Sequence, residues 1–199
     1  MNNTQYTWIV GTEQYKLPSQ YKLIQMLGKG AYGYVINVFD KHDKTHYAIK
    51  KCKSVTKSKQ ICKRTMREIK ILRLLDHDNI IKMKSILKPQ DDDFNDIYIV
   101  FELMHCDLNS LIKSQQNINQ EVVKHLSKQL FTGLQYLHGM GIVHRDLKSK
   151  NILVNLDCSL KVNHRDYILI IIIIIHYYYQ KFRLQILDWP DVICQMNKE

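Results

Sequence analysis

Acidic residues are scarce where basic ones concentrate. Between residues 50 and 73 ten Lys or Arg stand against the single acid Glu68, in a chain of 199 residues with a formal charge of +10. The five cysteines, Cys52, Cys62, Cys106, Cys158 and Cys194, are odd in number and scattered, with no C-x-x-C pair and no zinc-ligand spacing. This excludes a disulfide framework and a zinc module and fits reduced thiols inside a cell. No apolar run exceeds nine residues, Tyr167 to Ile175, about half of what a helix needs to cross a bilayer. The first six residues lack the charged region and apolar stretch of a secretory signal. A soluble protein of the cytoplasm, or also the nucleus, with no membrane partner is the expectation. The basic run has no aromatic platform, zinc knuckle or helix-turn-helix pattern beside it, so it reads as a solvated helix face and no nucleic-acid partner is expected.

What is present is enough for a core, since 45% of the residues are apolar. Strand-like patterns cover residues 21–27, 34–39 and 46–50, the first two joined by a glycine-rich turn and the last two by a charged one. Residues 59–75 switch to helical spacing, with Ile61, Thr65, Ile69 and Leu72 on one stripe. Two more strands are expected at 80–87 and 97–103, separated by the acidic loop 91–96. Beyond Met104 the pattern turns helical. The clearest helix starts at the cap Asn119, carries Val123, Leu126, Leu130, Leu134 and Leu137 at core spacing, and ends at Gly139 and Gly141. Two very short strands, at 152–155 and 159–162, follow.

Three motifs carry chemistry. Gly28-Lys29-Gly30-Ala31-Tyr32-Gly33-Tyr34-Val35 is a G-x-G-x-x-G-x-V turn between two strands, where missing β-carbons let backbone approach phosphate oxygens. A plain tight hairpin is the alternative, but the dinucleotide-binding version, which opens a helix, is excluded by the flanking strands. Lys50 ends the third strand, and Glu68 lies on the inward stripe of the basic helix, so the two can pair. The alternative leaves Lys50 at the surface with Glu68 bridging its helix neighbours. Lys51 is the weaker candidate because alternation sends it to the other face. Finally, His144-Arg145-Asp146-Leu147-Lys148-Ser149-Lys150-Asn151 combines a carboxylate, a lysine and an amide in one loop.

Together these segments resemble a eukaryotic Ser/Thr protein kinase. Arg64-Thr65-Met66-Arg67-Glu68-Ile69-Lys70-Ile71-Leu72, His77-Asp78-Asn79-Ile80-Ile81 and Leu103-Met104-His105-Cys106-Asp107-Leu108 resemble the mitogen-activated subgroup. The resemblance spans about residues 15–162. It implies an α+β, two-lobed kinase-like fold: an N-terminal extension at 1–20, a five-stranded N-lobe with one helix at 21–104, and the start of a helical C-lobe at 105–162. It implies ATP and magnesium as cofactors, a protein Ser/Thr substrate, and an upstream activating kinase as partner. Leu27, Gly28, Lys29, Gly30 and Gly33 would cover the nucleotide, with Val35, Ala48 and Leu153 sandwiching the adenine. Backbone groups from Glu102 to Met104 would bond its edge, Phe101 would stand at the back of the pocket, and Asp107 would reach the ribose. Lys50, held by Glu68, would bind the phosphates. Asp146 would orient the substrate hydroxyl, Lys148 steady the γ-phosphate and Asn151 bind the metal. Arg64, Arg67 and Arg145 match arginines that grip a phosphorylated activation lip, with a solvated face the alternative for Arg64.

The resemblance stops after Leu160-Lys161-Val162, where the family pattern has Asp-Phe-Gly and an activation segment. The chain reads Asn163-His164-Arg165-Asp166-Tyr167, then eight aliphatic residues to Ile175, and later a faint echo at Leu187-Asp188-Trp189-Pro190. A run of Ile, Leu, Tyr, His and Gln is what AT-rich non-coding DNA yields when translated. Residues 163–199 are therefore expected to be foreign to the fold, a translated intron rather than a buried strand, and the chain an incomplete, catalytically weak form. The helix at 119–138 is then expected to leave an apolar stripe to water.

Overall fold

The computed structural model describes residues 5–30, 33–87, 95–144 and 146–163. The acidic loop at 91–94, Arg145, the isoleucine run, the second His-Arg-Asp at 164–166 and Asp188 lie outside the described residues.

Two hairpin strands open the chain, β1 (Gln5–Val10) and β2 (Glu13–Pro18). They pair antiparallel around a turn in which Gly11 has a φ of 60°, a left-handed conformation that suits glycine. The resemblance implies only an N-terminal extension at 1–20 and no hairpin. The signal was there: β-prone Tyr6-Thr7-Trp8-Ile9-Val10, a Gly-Thr turn, then alternation through Tyr15 and Leu17.

A five-stranded antiparallel sheet follows in the order β3-β4-β5-β7-β6. Its strands are β3 (Tyr21–Gly30), β4 (Gly33–Asp40), β5 (Thr45–Cys52), β6 (Met83–Leu87) and β7 (Ile97–Glu102). Between β5 and β6 runs α1 (Lys59–Leu74), capped by Ser58, whose hydroxyl accepts from the Gln60 amide, and inward at Thr65, Ile69 and Leu72. The expected strand at 80–87 is shorter than its apolar pattern. Ile80 and Ile81 are buried, but Ile80 forms a parallel bridge to Val162 instead of joining the sheet edge.

Strand alternation gives the sheet two apolar faces. The outer one gathers Ile36, Val38, Tyr47, Ile49, Tyr98 and Val100 under Val10, Tyr15 and Leu17 of the hairpin. Tyr15 and Leu17 are fully buried there. The inner one gathers Cys52, Ile99 and Phe101 with Ile69 and Leu72 of α1, with Met104, and with Ala48 and Leu153 at its margin.

The second lobe holds the short strands β8 (Cys106–Asp107), β9 (Ile152–Val154) and β10 (Leu160–Val162), in sheet order β10-β9-β8. Its helices are α2 (Leu108–Lys113) and α3 (Gln120–Gly139), the latter capped as expected by the Asn119 side chain accepting from the Val122 amide. The apolar stripe of α3 is largely covered, although Val123 and Leu130 are only half-buried. Leu126, Leu134 and Leu137 are buried against Ile80, Ile152, Val154, Leu160 and Val162, so the little sheet covers this part of the stripe.

Candidate active site

Lys50 sits opposite Val35 on β4 and Ile99 on β7, on the inner face of the sheet. Its ammonium meets the Glu68 carboxylate of α1 at 2.5 Å, with the two side chains 10% and 13% exposed. A pair this enclosed holds the Lys50 ammonium at one point above the inner face. Lys51 takes the other face, as alternation requires. It donates to the Gln14 carbonyl at 2.7 Å and lies 2.9 Å from Asp96 and 3.6 Å from Glu13. Burial alone would raise the Asp96 carboxyl, but hydrogen bonds from the Lys51 side chain and the Ser54 amide hold it below the ordinary carboxylate range.

The glycine turn enters from β3 and leaves through β4. Gly28 pairs with Val35, Lys29 with Tyr34 and Gly30 with Gly33, and Leu27 falls in a register shift between Met26 and Gly28. Leu27 is exposed. A β-carbon added at Gly28 would meet nothing within 4 Å, and no left-handed φ requires glycine there. Ala31 and Tyr32 lie outside the described residues.

Ala48, Phe101, Met104 and Leu153 fall in one apolar cluster, which brings together most of the residues expected around an adenine. Val35 shares the inner face through its register with Lys50. The Glu102 side chain is engaged elsewhere, accepting from the Lys82 amide at 2.8 Å and pairing with Lys161 at 3.1 Å, so backbone atoms are what this segment can offer a ligand. Asp107 caps α2, its Oδ1 accepting from the Ser110 amide at 2.8 Å; a ribose contact would fall to Oδ2.

Across the chain, Asp146, Lys148 and Asn151 form a second polar group. The Lys148 ammonium reaches the Asp146 carboxylate at 2.7 and 2.9 Å. The Asn151 amide nitrogen donates to the Asp146 carbonyl at 2.8 Å and to its Oδ2 at 2.9 Å, and Asn151 is only 1% exposed. This locks the Asp146 backbone and carboxylate together. His144, buried behind the loop, bonds the Asn163 carbonyl through Nε2 at 2.8 Å, and the Asn163 amide donates to the Asn151 carbonyl at 2.8 Å. The end of β10 is thereby tied to the catalytic-type loop. Burial pushes the His144 imidazole below its ordinary value.

Asn79, which in the sequence carries only the resemblance to the subgroup, proves central. Asn79 donates to Gln129 Oε1 and the Leu160 carbonyl, while Val162 donates to the Asn79 carbonyl and Ile81 to that of Val162. Beside it, His77 stacks on Tyr136 of α3 at 4.7 Å between ring centres. Sequence spacing gives no sign that residues 77–81 meet both α3 and β10.

The described residues contain no group of three His, Cys, Asp or Glu placed to hold a cation. Asn151 and Asp146 are the oxygen donors of the site, and the chain continues from Val162 with Asn163 and His164. Arg64 and Arg67 lie exposed on α1, away from the buried stripe.

The sequence pattern of the protein kinase domain matches residues 21–166. Among characterised proteins, the chain is 44% identical over 140 residues to "mitogen-activated protein kinase homolog NTF6" of Nicotiana tabacum, covering 70% of this chain and 38% of that one. It is 43% identical over 140 residues to mitogen-activated protein kinase 5 of Arabidopsis thaliana, covering 70% and 37%. It is 38% identical over 157 residues to mitogen-activated protein kinase 4a of Physcomitrium patens, covering 78% and 42%. The chain thus spans about two fifths of the length of these relatives.

Proposed function

The chain belongs to the protein kinase family, and from that membership we propose that it binds ATP and serves phosphoryl transfer to Ser or Thr hydroxyls of a protein, in a signalling role like that of the mitogen-activated kinases it resembles. The observation that carries the reading is the Lys50–Glu68 pair at 2.5 Å on the same sheet face as Val35, within a fold that also clusters Ala48, Met104 and Leu153. An ammonium fixed in this way is a phosphate ligand that costs little reorganisation when the nucleotide arrives.

Each residue has a role in such a reaction. The apolar cluster takes the base, Lys50 takes phosphate oxygens, and Asp146 accepts the hydroxyl hydrogen of a serine or threonine. Lys148, already on the Asp146 carboxylate, is placed to follow negative charge as it moves to the transferred group, and Asn151 keeps Asp146 in place. An upstream kinase and a protein substrate are the partners this role needs. Magnesium serves kinases by neutralising phosphate charge. Among the described residues, Asn151 and Asp146 are the oxygen donors that would hold it.

The sequence Asn163-His164-Arg165, where the family pattern has Asp-Phe-Gly, favours a second reading, a nucleotide-binding module with little or no transfer activity. Both are tested on the full chain by titrating ATP, with and without magnesium, and by following labelled phosphate into a mixed Ser/Thr protein substrate. Binding abolished by Lys50→Met, with Ser/Thr labelling, supports the kinase. Binding without labelling supports the module, and an absence of binding overturns both.

A further inference from the structure

We propose that the N-terminal hairpin is a positioning element of the nucleotide site, and that Tyr15 acts through Tyr34 to hold the root of the glycine turn. The geometry runs through the outer face of the sheet. The fully buried Tyr15 donates its hydroxyl to the Tyr34 carbonyl at 2.7 Å. Tyr34 is the residue that follows Gly33, at the point where the chain leaves the glycine turn.

Three further contacts close around Tyr34. A β-carbon at Gly11, in the hairpin turn, would stand 3.1 Å from the Tyr34 hydroxyl, and the neighbouring Thr12 side chain holds that hydroxyl below its ordinary proton affinity. On the other side the Lys29 ammonium lies 5.4 Å from the centre of the Tyr34 ring. Lys29 and Tyr34 are cross-strand partners in the turn. Hairpin, ascending strand and descending strand therefore meet at one ring.

The same hairpin holds the strand that carries Lys50. Lys51 is anchored to Gln14, Glu13 and Asp96, and its ammonium lies 5.5 Å from the Tyr15 ring centre and 6.0 Å from that of Tyr98. Burial lifts the Tyr15 hydroxyl far above its ordinary value, so it stays a donor at any physiological pH. One small element thus fixes, from behind, both the strand bearing Lys50 and the exit of the turn that would cover the phosphates. Its effect on a ligand rests on the nucleotide-binding reading; its effect on the turn does not.

Two readouts on the full chain test this. Hydrogen exchange is followed at the amides of Gly28, Lys29, Val35 and Ile36 in Tyr15→Phe, which keeps the ring and removes one hydrogen bond. Loss of about 0.5–1.5 kcal/mol corresponds to exchange about 2- to 12-fold faster at these amides, with Val100 and Ile99 unchanged. The dissociation constant for ATP, titrated without magnesium, should rise several-fold in the same variant. Exchange unchanged at the turn, or faster equally across the sheet, overturns the proposal. Gly11→Ala, which presses on the Tyr34 ring at a strained φ, is a second variant expected to loosen the same amides. If the wild-type chain binds no ATP, the nucleotide reading fails while the exchange result still decides whether the hairpin positions the turn.

Discussion

Lys50 and Lys51 are neighbours on β5 whose ammonium groups work on opposite sides of one sheet, the first on Glu68 of α1 and the second on the hairpin and Asp96. Lys50→Met should cost about 1–3 kcal/mol because it strands the Glu68 carboxylate, whereas Lys51→Met leaves Asp96 with the Ser54 amide and Glu13 with Lys53 and should cost about 0.5–1.5 kcal/mol. Only Lys50→Met should abolish the rise in melting temperature that ATP produces. Lys51→Met should keep a reduced rise. Thermal melts with and without nucleotide check this, and a loss of the ATP response in Lys51→Met alone would reverse the assignment of the two faces.

Gly133 in α3 lies against Asn79: an added β-carbon would come within 2.9 Å of the Asn79 carbonyl and 3.1 Å of its Cβ. Alanine ordinarily improves a helix interior by up to about 1 kcal/mol over glycine. Here the clash should win, since the Asn79 carbonyl already accepts from Val162 and cannot retreat without loosening β10. Gly133→Ala is expected to lose about 1–3 kcal/mol, whereas Gly139→Ala, with nothing within 4 Å, should be neutral or stabilising. Urea unfolding of the two variants checks this: Gly133→Ala should be clearly destabilised while Gly139→Ala is not, and equal effects would remove the contact as the cause.

The residues that could be read in advance were those whose role is local or periodic. Lys50, Glu68 and the facing of Lys51 follow from strand and helix periods, and the Asn119 cap from its residue type and place. Asp146, Lys148 and Asn151 stand in one short motif, so their meeting needs no long-range folding. The hairpin lies outside every chemistry-bearing motif, although its own alternation and Gly-Thr turn are ordinary strand signals. Asn79 and the covering of α3 by β9 and β10 could not be read at all. They depend on segments about 50 and 80 residues apart meeting, as in the Asn79 bonds to Gln129 and Leu160, and no period in the chain encodes that.

His144 should make stability pH-dependent in a window separate from the carboxylates. Its folded-state value lies below the ordinary 6.5 because burial disfavours the imidazolium. The unfolded chain therefore binds a proton more readily, and stability is full above about 6.5 and falls as the pH drops below it. The slope contributed by one such group cannot exceed about 1.4 kcal/mol per pH unit. Depressed carboxylates such as Glu13 and Asp96 lose their contribution only at lower pH, below their unfolded values. Denaturation series at pH 7.5, 6.5 and 5.5 should show the decline, and His144→Asn should flatten it; an equal decline in that variant would place the cause elsewhere.

Asn151 gives the reverse pH behaviour when changed to an acid. Its amide now donates twice to Asp146, once to the carbonyl and once to the carboxylate. Asn151→Asp keeps the shape but replaces a donor by a charged acceptor facing another carboxylate, almost without solvent. Two like charges this close force one carboxyl to hold its proton above the ordinary range. At neutral pH the variant should be less stable than the parent chain by about 1–3 kcal/mol. As the pH falls from 7 toward 5 the introduced carboxyl protonates, regains a hydrogen to donate to Asp146, and the gap should narrow. Measuring the difference in unfolding free energy between variant and parent at pH 7, 6 and 5 removes the background acid sensitivity they share. A gap that stays constant over this range would mean that the amide does not govern the Asp146 carboxylate, and the positioning role given to Asn151 would fall with it.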